Sequence, residues 1–309
     1  MSTTRLVTVD CDYVQPLLAA SFLRVQNGEA AFIETGTSRN AAKLLDALDA
    51  EGISRDAVRY VIVTHVHLDH AGGASALMKE LPRATLLAHP RAARHLIDPS
   101  KLVASARTVY GAERFDALYG VIEPIDAARV RALDDNAEVP FGDASLRVIH
   151  TRGHANHHFI VVDPAASAVF TGDTFGLAYP KLQRAGRFAF PSTSPTDFDA
   201  TEARASVERV RTLGMERACL THFGELTDLD AVAAQLTQWI NYSETLMNDS
   251  LARPAAEAEA WIRAKLTDAM ELAAKDRGLT LDAGDRALLD FDLDLNAQGL
   301  AFAASKKRA

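Results

Sequence analysis

The sequence of 309 residues is poor in cysteine and has no excess of positive charge, and each shortage excludes a class of protein. Its two cysteines, Cys11 and Cys219, cannot build the disulfide framework of a small secreted protein, so we expect a reducing, cytoplasmic location. The 33 Lys and Arg residues are outnumbered by 41 Asp and Glu residues, which gives a net charge of -8. Because nucleic acids and anionic membranes attract proteins of the opposite charge, neither is an expected partner.

Long apolar runs are also missing. Apolar runs such as residues 61–63 and 159–162 are far shorter than the ~18 residues that a transmembrane helix needs. The opening MSTTRLVTVD lacks the apolar core of a secretory signal, so we expect neither a membrane span nor export. Hydrophobic residues still make up 48% of the chain, which predicts an ordinary globular core in one large domain, alone or with an appendage.

The first half of the chain alternates predicted strands and helices. The β-rich runs ASFLRVQ and EAAFIETG are separated by the hairpin signal Asn27-Gly28. The helix AAKLLDALDAEG follows, with Leu44, Leu45 and Leu48 on one face. VRYVIVTH and ATLLAHP have the pattern of buried strands on either side of the helix AGGASALMKELP. This β-α-β order predicts an α/β fold.

The second half is predicted to contain strands, a long loop and then helices. The expected strands are LRVIHTRGH, HHFIVVD and AVFTGD. They are followed by an expected long loop, FGLAYPKLQRAGRFAFPSTSPTDF, and loops of this length are usually functional. The helix ATEARASVERVRTL and the strand RACLTHFG complete the core near Gly224. From Leu229 onward the Ala- and Leu-rich pattern predicts helices.

Histidine and aspartate residues follow the predicted strands at the point where each strand ends. They are His65, His67, Asp69 and His70 in VIVTHVHLDH, then His154, Asp173 and His222. Imidazole nitrogens and carboxylate oxygens are ligands of zinc, manganese and iron, and seven of them suffice for two ions. A single histidine is more often a packed or surface residue, but seven such groups at strand ends are too many for that interpretation, because unpaired buried polar groups are costly.

With these residues the sequence resembles the metallo-β-lactamase superfamily, whose HxHxDH motif spans residues 65–70 here. Gly153-His154, Gly172-Asp173 and His222 follow in the order of the family, and the resemblance covers about residues 15–225. It implies a four-layer αββα metallo-β-lactamase sandwich with a C-terminal helical extension. It also implies one metal held by His65, His67 and His154, and a second held by Asp69, His70 and His222, with Asp173 between the two ions.

The end of the predicted core and the helical pattern from Leu229 onward divide the chain into a catalytic domain at residues 1–228 and a helical extension at 229–309, which we expect to cover the active-site mouth. Two divalent ions, zinc first and iron or manganese as alternatives, would supply a hydroxide for hydrolysis. Asp69 is the candidate catalytic residue, because a ligand at this position can also accept a proton from the nucleophilic water. No G-x-S-x-G element suggests a serine nucleophile instead.

The substrate class stays open within the superfamily. The metal site resembles that of glyoxalase II, so a thioester or ester of a small, partly apolar acyl group is the first expectation and a lactone the second. A regulatory binding protein with vestigial hydrolase activity is a further alternative. Phe175, Tyr179 and Phe190 of the predicted loop are candidate substrate contacts, or alternatively anchors of the loop.

Glu34, in Glu34-Thr35-Gly36, stands where many relatives have aspartate, and a role behind the metal ligands and a solvated turn are equally supported. The expected partner is a small-molecule substrate, and a homodimer is one alternative for the assembly.

Overall fold

The computed structural model describes residues 4–193 and 196–308, which divide into two compact units. The first unit comprises the described residues up to His150 together with 157–172 and 215–227. The second comprises 151–156 and the described residues of 173–214 and 228–308. Residues 1–3 and 309 of the predicted domains, and residues 194 and 195 of the predicted loop, lie outside the described residues.

The first unit contains a six-stranded sheet whose strands lie side by side in chain order. They are β1 (Thr4–Asp10), β2 (Ala20–Gln26), β3 (Glu29–Ile33), β4 (Val58–Ile62), β5 (Thr85–Ala88) and β6 (Val130–Ala132). The first three strands are antiparallel, and β3 to β6 are parallel. Asn27 and Gly28 join β2 to β3 with positive φ angles, as a tight hairpin turn requires, which confirms the predicted hairpin.

A second six-stranded sheet completes the strands of this unit. Its members are β7 (Glu138–Phe141), β8 (Ala144–Thr151), β9 (His158–Asp163), β10 (Ala168–Gly172), β11 (Arg217–Leu220) and β12 (Gly224–Leu226). The strand order is β12-β11-β10-β9-β8-β7. β10 is antiparallel to β9 and parallel to β11, so the end of β10, the end of β11 and the start of β9 lie at the same edge of the sheet.

Six helices connect the strands of the first sheet. They are α1 (Ala41–Ala50), α2 (Leu68–Ala71), α3 (Ala74–Glu80), α4 (Pro90–Ile97), α5 (Ser100–Tyr110) and α6 (Ala112–Tyr119). The predicted apolar face of α1 is buried in the same hydrophobic core as Phe32 and Val61 of the first sheet. Burying a leucine side chain on such a face stabilises the fold by about 1.5–3 kcal/mol.

The two sheets of the first unit pack face to face. Side chains alternate along β2, so that Phe22 points into the core between the sheets and Leu23 into the core beneath the helices. Phe22 meets Phe170 of β10 with a centroid separation of 5.4 Å. Arg24 on β2 forms a buried ion pair with Asp163 at the end of β9. This arrangement confirms the predicted α/β sandwich.

The second unit is largely helical. Its helices are α7 (Ala200–Thr212), α8 (Leu229–Ser250), α9 (Ala255–Asp276) and α10 (Ala283–Arg308), which confirms the predicted helical C-terminal region. The predicted loop after β10 is held by a bridge between Leu177 and Phe190 and by Asn296 of α10, whose amide donates to the carbonyl of Pro191. Among the described residues no helix combines the length and apolar character that a membrane span requires.

Candidate metal centre

Two residues, Val63 and Thr64, separate the end of β4 from the histidine-rich motif that begins at His65. Val63 extends the buried strand by donating its N–H to the carbonyl of Leu87, and His67 precedes the short helix α2. His65 and His70 are fully buried, and their ring centroids lie 4.1 Å apart. The ring of His67 lies 4.4 Å from that of His65. The motif therefore gathers its imidazoles in one place, as their spacing predicts.

Glu34, at the end of β3, is buried directly behind these imidazoles. Its carboxylate accepts a hydrogen bond from the Thr64 hydroxyl, and one of its oxygens lies 3.3 Å from Nδ1 of His70. The Thr64 hydroxyl also lies 3.0 Å from Nδ1 of His65. Because Glu34 and Thr64 occupy the Nδ1 side of both rings, Nε2 is the nitrogen that each ring presents as a ligand. The structure thus favours the first of the two interpretations of Glu34.

Asp69, His70 and His222 form a second group of ligand atoms. One atom from each residue lies within 4.8 Å of the others. The Asp69 carboxylate is 3.3 Å from Nε2 of His222 and 3.7 Å from Nε2 of His70. His222 follows β11, and its Nδ1 lies 2.8 Å from the carbonyl oxygen of Leu18, which can only accept a hydrogen bond. The proton of His222 therefore sits on Nδ1, and Nε2 faces Asp69.

Glu34, His65 and His70 also form a group with ligand atoms within 4.8 Å of one another. The Asp69 group, with two imidazoles and one carboxylate, matches donor sets that proteins use for zinc, iron and manganese, and Glu34 lies on the Nδ1 side of His70 behind it. The residues present in the first unit therefore fit a bound divalent ion.

His154 and Asp173 belong to the second unit and lie beside each other there. His154 is in the connection from β8 to β9, and Asp173 follows the last residue of β10. Nε2 of His154 is 3.4 Å from the Asp173 carboxylate, and Nδ1 is 3.3 Å from the carbonyl oxygen of Ser192. The Cβ of any larger residue at Gly153 would meet the backbone of Ala203 at 2.2 Å, so glycine is needed next to His154.

His158 packs behind the motif in the first unit. It is buried, and its ring centroid is 4.9 Å from that of His65. A Cβ on Gly172 would lie 2.5 Å from Nε2 of His158 and 2.4 Å from the Thr64 hydroxyl. The glycine of the Gly172-Asp173 motif therefore leaves room for the groups that support the ligands.

The candidate substrate contacts are all buried in the second unit. Phe175, Tyr179 and Phe190 are exposed by 2% or less of their surface. The Tyr179 and Phe190 rings meet edge to face at 6.1 Å. This packing anchors the loop, and the assignment of the three side chains to substrate binding stays a prediction.

The two-sheet sandwich carries groups of imidazoles and carboxylates that could hold a metal ion. The sequence model of the Metallo-beta-lactamase superfamily matches residues 15–222, and the chain belongs to that superfamily. Members of the superfamily are generally metal-dependent hydrolases.

Particular relatives agree with this membership. The chain is 26% identical over 248 residues to the metallo-beta-lactamase fold-containing protein ST1585 of Sulfurisphaera tokodaii, covering 78% of this chain and 86% of that protein. It is 30% identical over 153 residues to the hydroxyacylglutathione hydrolase of Shewanella sp. (strain ANA-3), a match that covers 49% of this chain and 46% of the relative.

Two solved structures share the fold over nearly the whole chain. The crystal structure of ST1585 from Sulfolobus tokodaii superposes with a TM-score of 0.68 at 20% identity, covering 96% of this chain and 98% of that one. The family protein TTHA1429 from Thermus thermophilus gives a TM-score of 0.64 at 18% identity, covering 98% of this chain and 94% of that one. At these identities the likeness concerns the fold.

Proposed function

We propose that the protein is a dinuclear metal-dependent hydrolase of thioesters or esters with a small, partly apolar acyl group. The observation that carries the proposal is the grouping of Asp69, His70 and His222 at strand ends, with Glu34 and Thr64 holding the neighbouring imidazoles in place. In this proposal His65, His67 and His154 hold one ion, the Asp69 group holds the other, and Asp173 is shared. Zinc is the proposed metal.

When bound, such ions lower the pKa of a coordinated water toward neutrality and polarise a carbonyl oxygen. The chain's own residues supply the rest of the chemistry. Asp69, whose carboxylate lies 3.3 Å from Nε2 of His222, would accept a proton from the attacking water in this proposal. His222 keeps its orientation through the Leu18 carbonyl, and His70 through Glu34. Phe175, Tyr179 and Phe190 are the proposed apolar contacts of the acyl group.

The partial relatives support thioester hydrolysis over lactone hydrolysis. The hydroxyacylglutathione named in the Shewanella relative is a thioester, although that match spans about half of each chain. Lactone hydrolysis is the second candidate. A cytoplasmic location and action on a small molecule stay predictions.

The test is turnover by the metal-loaded protein of matched acyl thioesters, oxygen esters and lactones, with and without a chelator. We expect the highest kcat/KM on thioesters and complete loss of turnover on chelation. Preference for lactones would support the second candidate. Metal binding with no turnover of any member would contradict the proposal and favour a regulatory binding protein.

A further inference from the structure

A buried asparagine of the last helix holds the loop segment that contacts His154. Asn296 lies in the interior of α10 and is exposed by 8% of its surface. Its side-chain oxygen accepts the N–H of Thr193 at 2.6 Å, and its side-chain amide donates to the carbonyl oxygen of Pro191 at 3.1 Å. The Thr193 hydroxyl donates to the main-chain carbonyl of Asn296 at 3.1 Å. We call these three hydrogen bonds the Asn296 clamp.

Packing of the helix alone does not explain an asparagine at this position. Asparagine has a lower helix propensity than leucine or alanine, and a buried carboxamide costs free energy unless its polar groups are hydrogen-bonded. Leu293 and Leu300, on the same face of α10, are buried and apolar. The Asn296 clamp uses both the donor and the acceptor of the carboxamide, so it accounts for the residue.

The clamp also fixes the direction of the Ser192 carbonyl. The two main-chain groups that the Asn296 carboxamide binds belong to Pro191 and Thr193, which flank Ser192. Residues 191–193 form neither a helix nor a turn. In an extended segment the carbonyl before a residue and the N–H after it point to one side of the chain, whereas the residue's own carbonyl points to the other side. The Ser192 carbonyl is therefore directed away from Asn296.

His154 lies on the side to which the Ser192 carbonyl points. Nδ1 of His154 is 3.3 Å from this oxygen, which can only accept a hydrogen bond, so Nδ1 carries the proton. Nε2 is then the nitrogen that can ligate an ion, and it lies 3.4 Å from the Asp173 carboxylate. The main chain next to His154 is held separately, because the carbonyl of Gly153 accepts the N–H of Asp199 at 3.0 Å.

We propose that Asn296 is a positioning residue for the metal centre, which holds the His154 imidazole in its metal-binding tautomer by turning the Ser192 carbonyl toward it. The inference rests on the proposed function, in which His154 is a metal ligand. It makes the helical C-terminal region a part of the metal centre, because loss of the clamp would misplace a ligand without altering any residue that contacts the ion.

Nitrogen NMR of the metal-free protein tests the clamp without turnover. Above about pH 8 imidazoles are neutral, and long-range proton–nitrogen correlations show which ring nitrogen carries the proton. We expect Nδ1 to be protonated in wild-type His154, whose signals are assigned from the His154→Gln spectrum. Asn296→Leu removes both bonds of the carboxamide and should shift His154 toward the tautomer protonated on Nε2. His222 is the internal control, because the Leu18 carbonyl holds its tautomer in the first unit.

Metal affinity is the second measurement. Zinc titration against a competing chelator should show that Asn296→Leu binds the ion assigned to His154 about 10–100-fold more weakly than the wild type, with the affinity for the other ion unchanged. Thr193→Val is the matched control, because it breaks the clamp bond that does not involve the carboxamide. It should lower thermal stability but keep the wild-type tautomer and both zinc affinities.

A second variant covers the case in which leucine at position 296 prevents folding. Asn296→Asp keeps the acceptor for the Thr193 N–H and loses the donor to Pro191, so the same change of tautomer and affinity is expected from it. A wild-type His154 protonated on Nε2, or position-296 variants with the wild-type tautomer and zinc affinities, would overturn the inference and leave the proposed hydrolase function intact.

The controls separate the remaining outcomes. Equal changes of the His154 tautomer in Asn296→Leu and Thr193→Val would also overturn the inference, because they would show a general loosening of the loop. If the wild type binds no zinc or turns over no ester or thioester, the proposed function fails. The NMR comparison then decides by itself whether Asn296 positions His154.

Discussion

Replacement of Gly172 by alanine should destabilise the protein at the point where β10 meets the candidate metal centre. Gly172 has a φ of +49°, a conformation that costs a non-glycine residue about 1–2 kcal/mol. The added Cβ would lie 2.4 Å from the Thr64 hydroxyl oxygen and 2.5 Å from Nε2 of His158. Both side chains are buried, and overpacking of this kind costs about 1–3 kcal/mol.

The combined loss is about 2–5 kcal/mol, which corresponds to a fall in Tm of roughly 4–20 °C. Scanning calorimetry of the metal-free protein measures it. Gly214→Ala is the matched control, because Gly214 has a φ of +72° and open space around its missing Cβ, so only the backbone cost applies. If the two variants lost the same stability, the crowding of Thr64 and His158 by a Cβ would be refuted.

Three other substitutions or treatments test separate parts of the structure. Burial raises the pKa of the Cys11 thiol to about 12 from its ordinary 9.0, so native Cys11 should resist alkylation by iodoacetamide at pH 8, as measured by peptide mass spectrometry. The stability that the neutral thiol contributes should be complete below about pH 9 and decline as the pH rises towards 12. Rapid labelling of the native protein would contradict this. Asp163→Ala leaves Arg24 buried without its carboxylate and should cost about 3–5 kcal/mol in urea denaturation, whereas a loss below ~1 kcal/mol would show that the ion pair is solvated. Tyr179→Ala should raise KM for bulky acyl substrates more than it lowers metal content, and equal losses of both would assign Tyr179 to packing against Phe190 alone.

Local patterns predicted much of the fold. The helical period of AAKLLDALDA located α1 and its buried leucines, and Asn27-Gly28 located the first hairpin. Strand β6, with three residues, is too short to show a period and was not predicted. The helices from Leu229 onward were predicted, whereas their placement over the active-site mouth stays a prediction.

Contacts between distant segments could not be predicted in this way. Leu18 orients His222 across 204 residues, and Tyr13 meets Tyr119 across 106. Such contacts depend on the tertiary arrangement of β1, β2 and β11, and the spacing of residues in the sequence does not predict that arrangement. Glu34 shows the same limit, because its neighbours in sequence do not reveal that Thr64 and His70 surround its carboxylate.

The metal content of the purified protein tests the central claim most directly. Metal analysis of the wild type should give two equivalents per chain, and Asp173→Ala should retain one. Two doubly charged ions about 4 Å apart would repel by about 15–20 kcal/mol at an effective dielectric constant of about 20, so an anionic group such as the Asp173 carboxylate would be needed to hold both. A wild type with one equivalent or none after metal loading, or an Asp173→Ala variant with two, would contradict the dinuclear account.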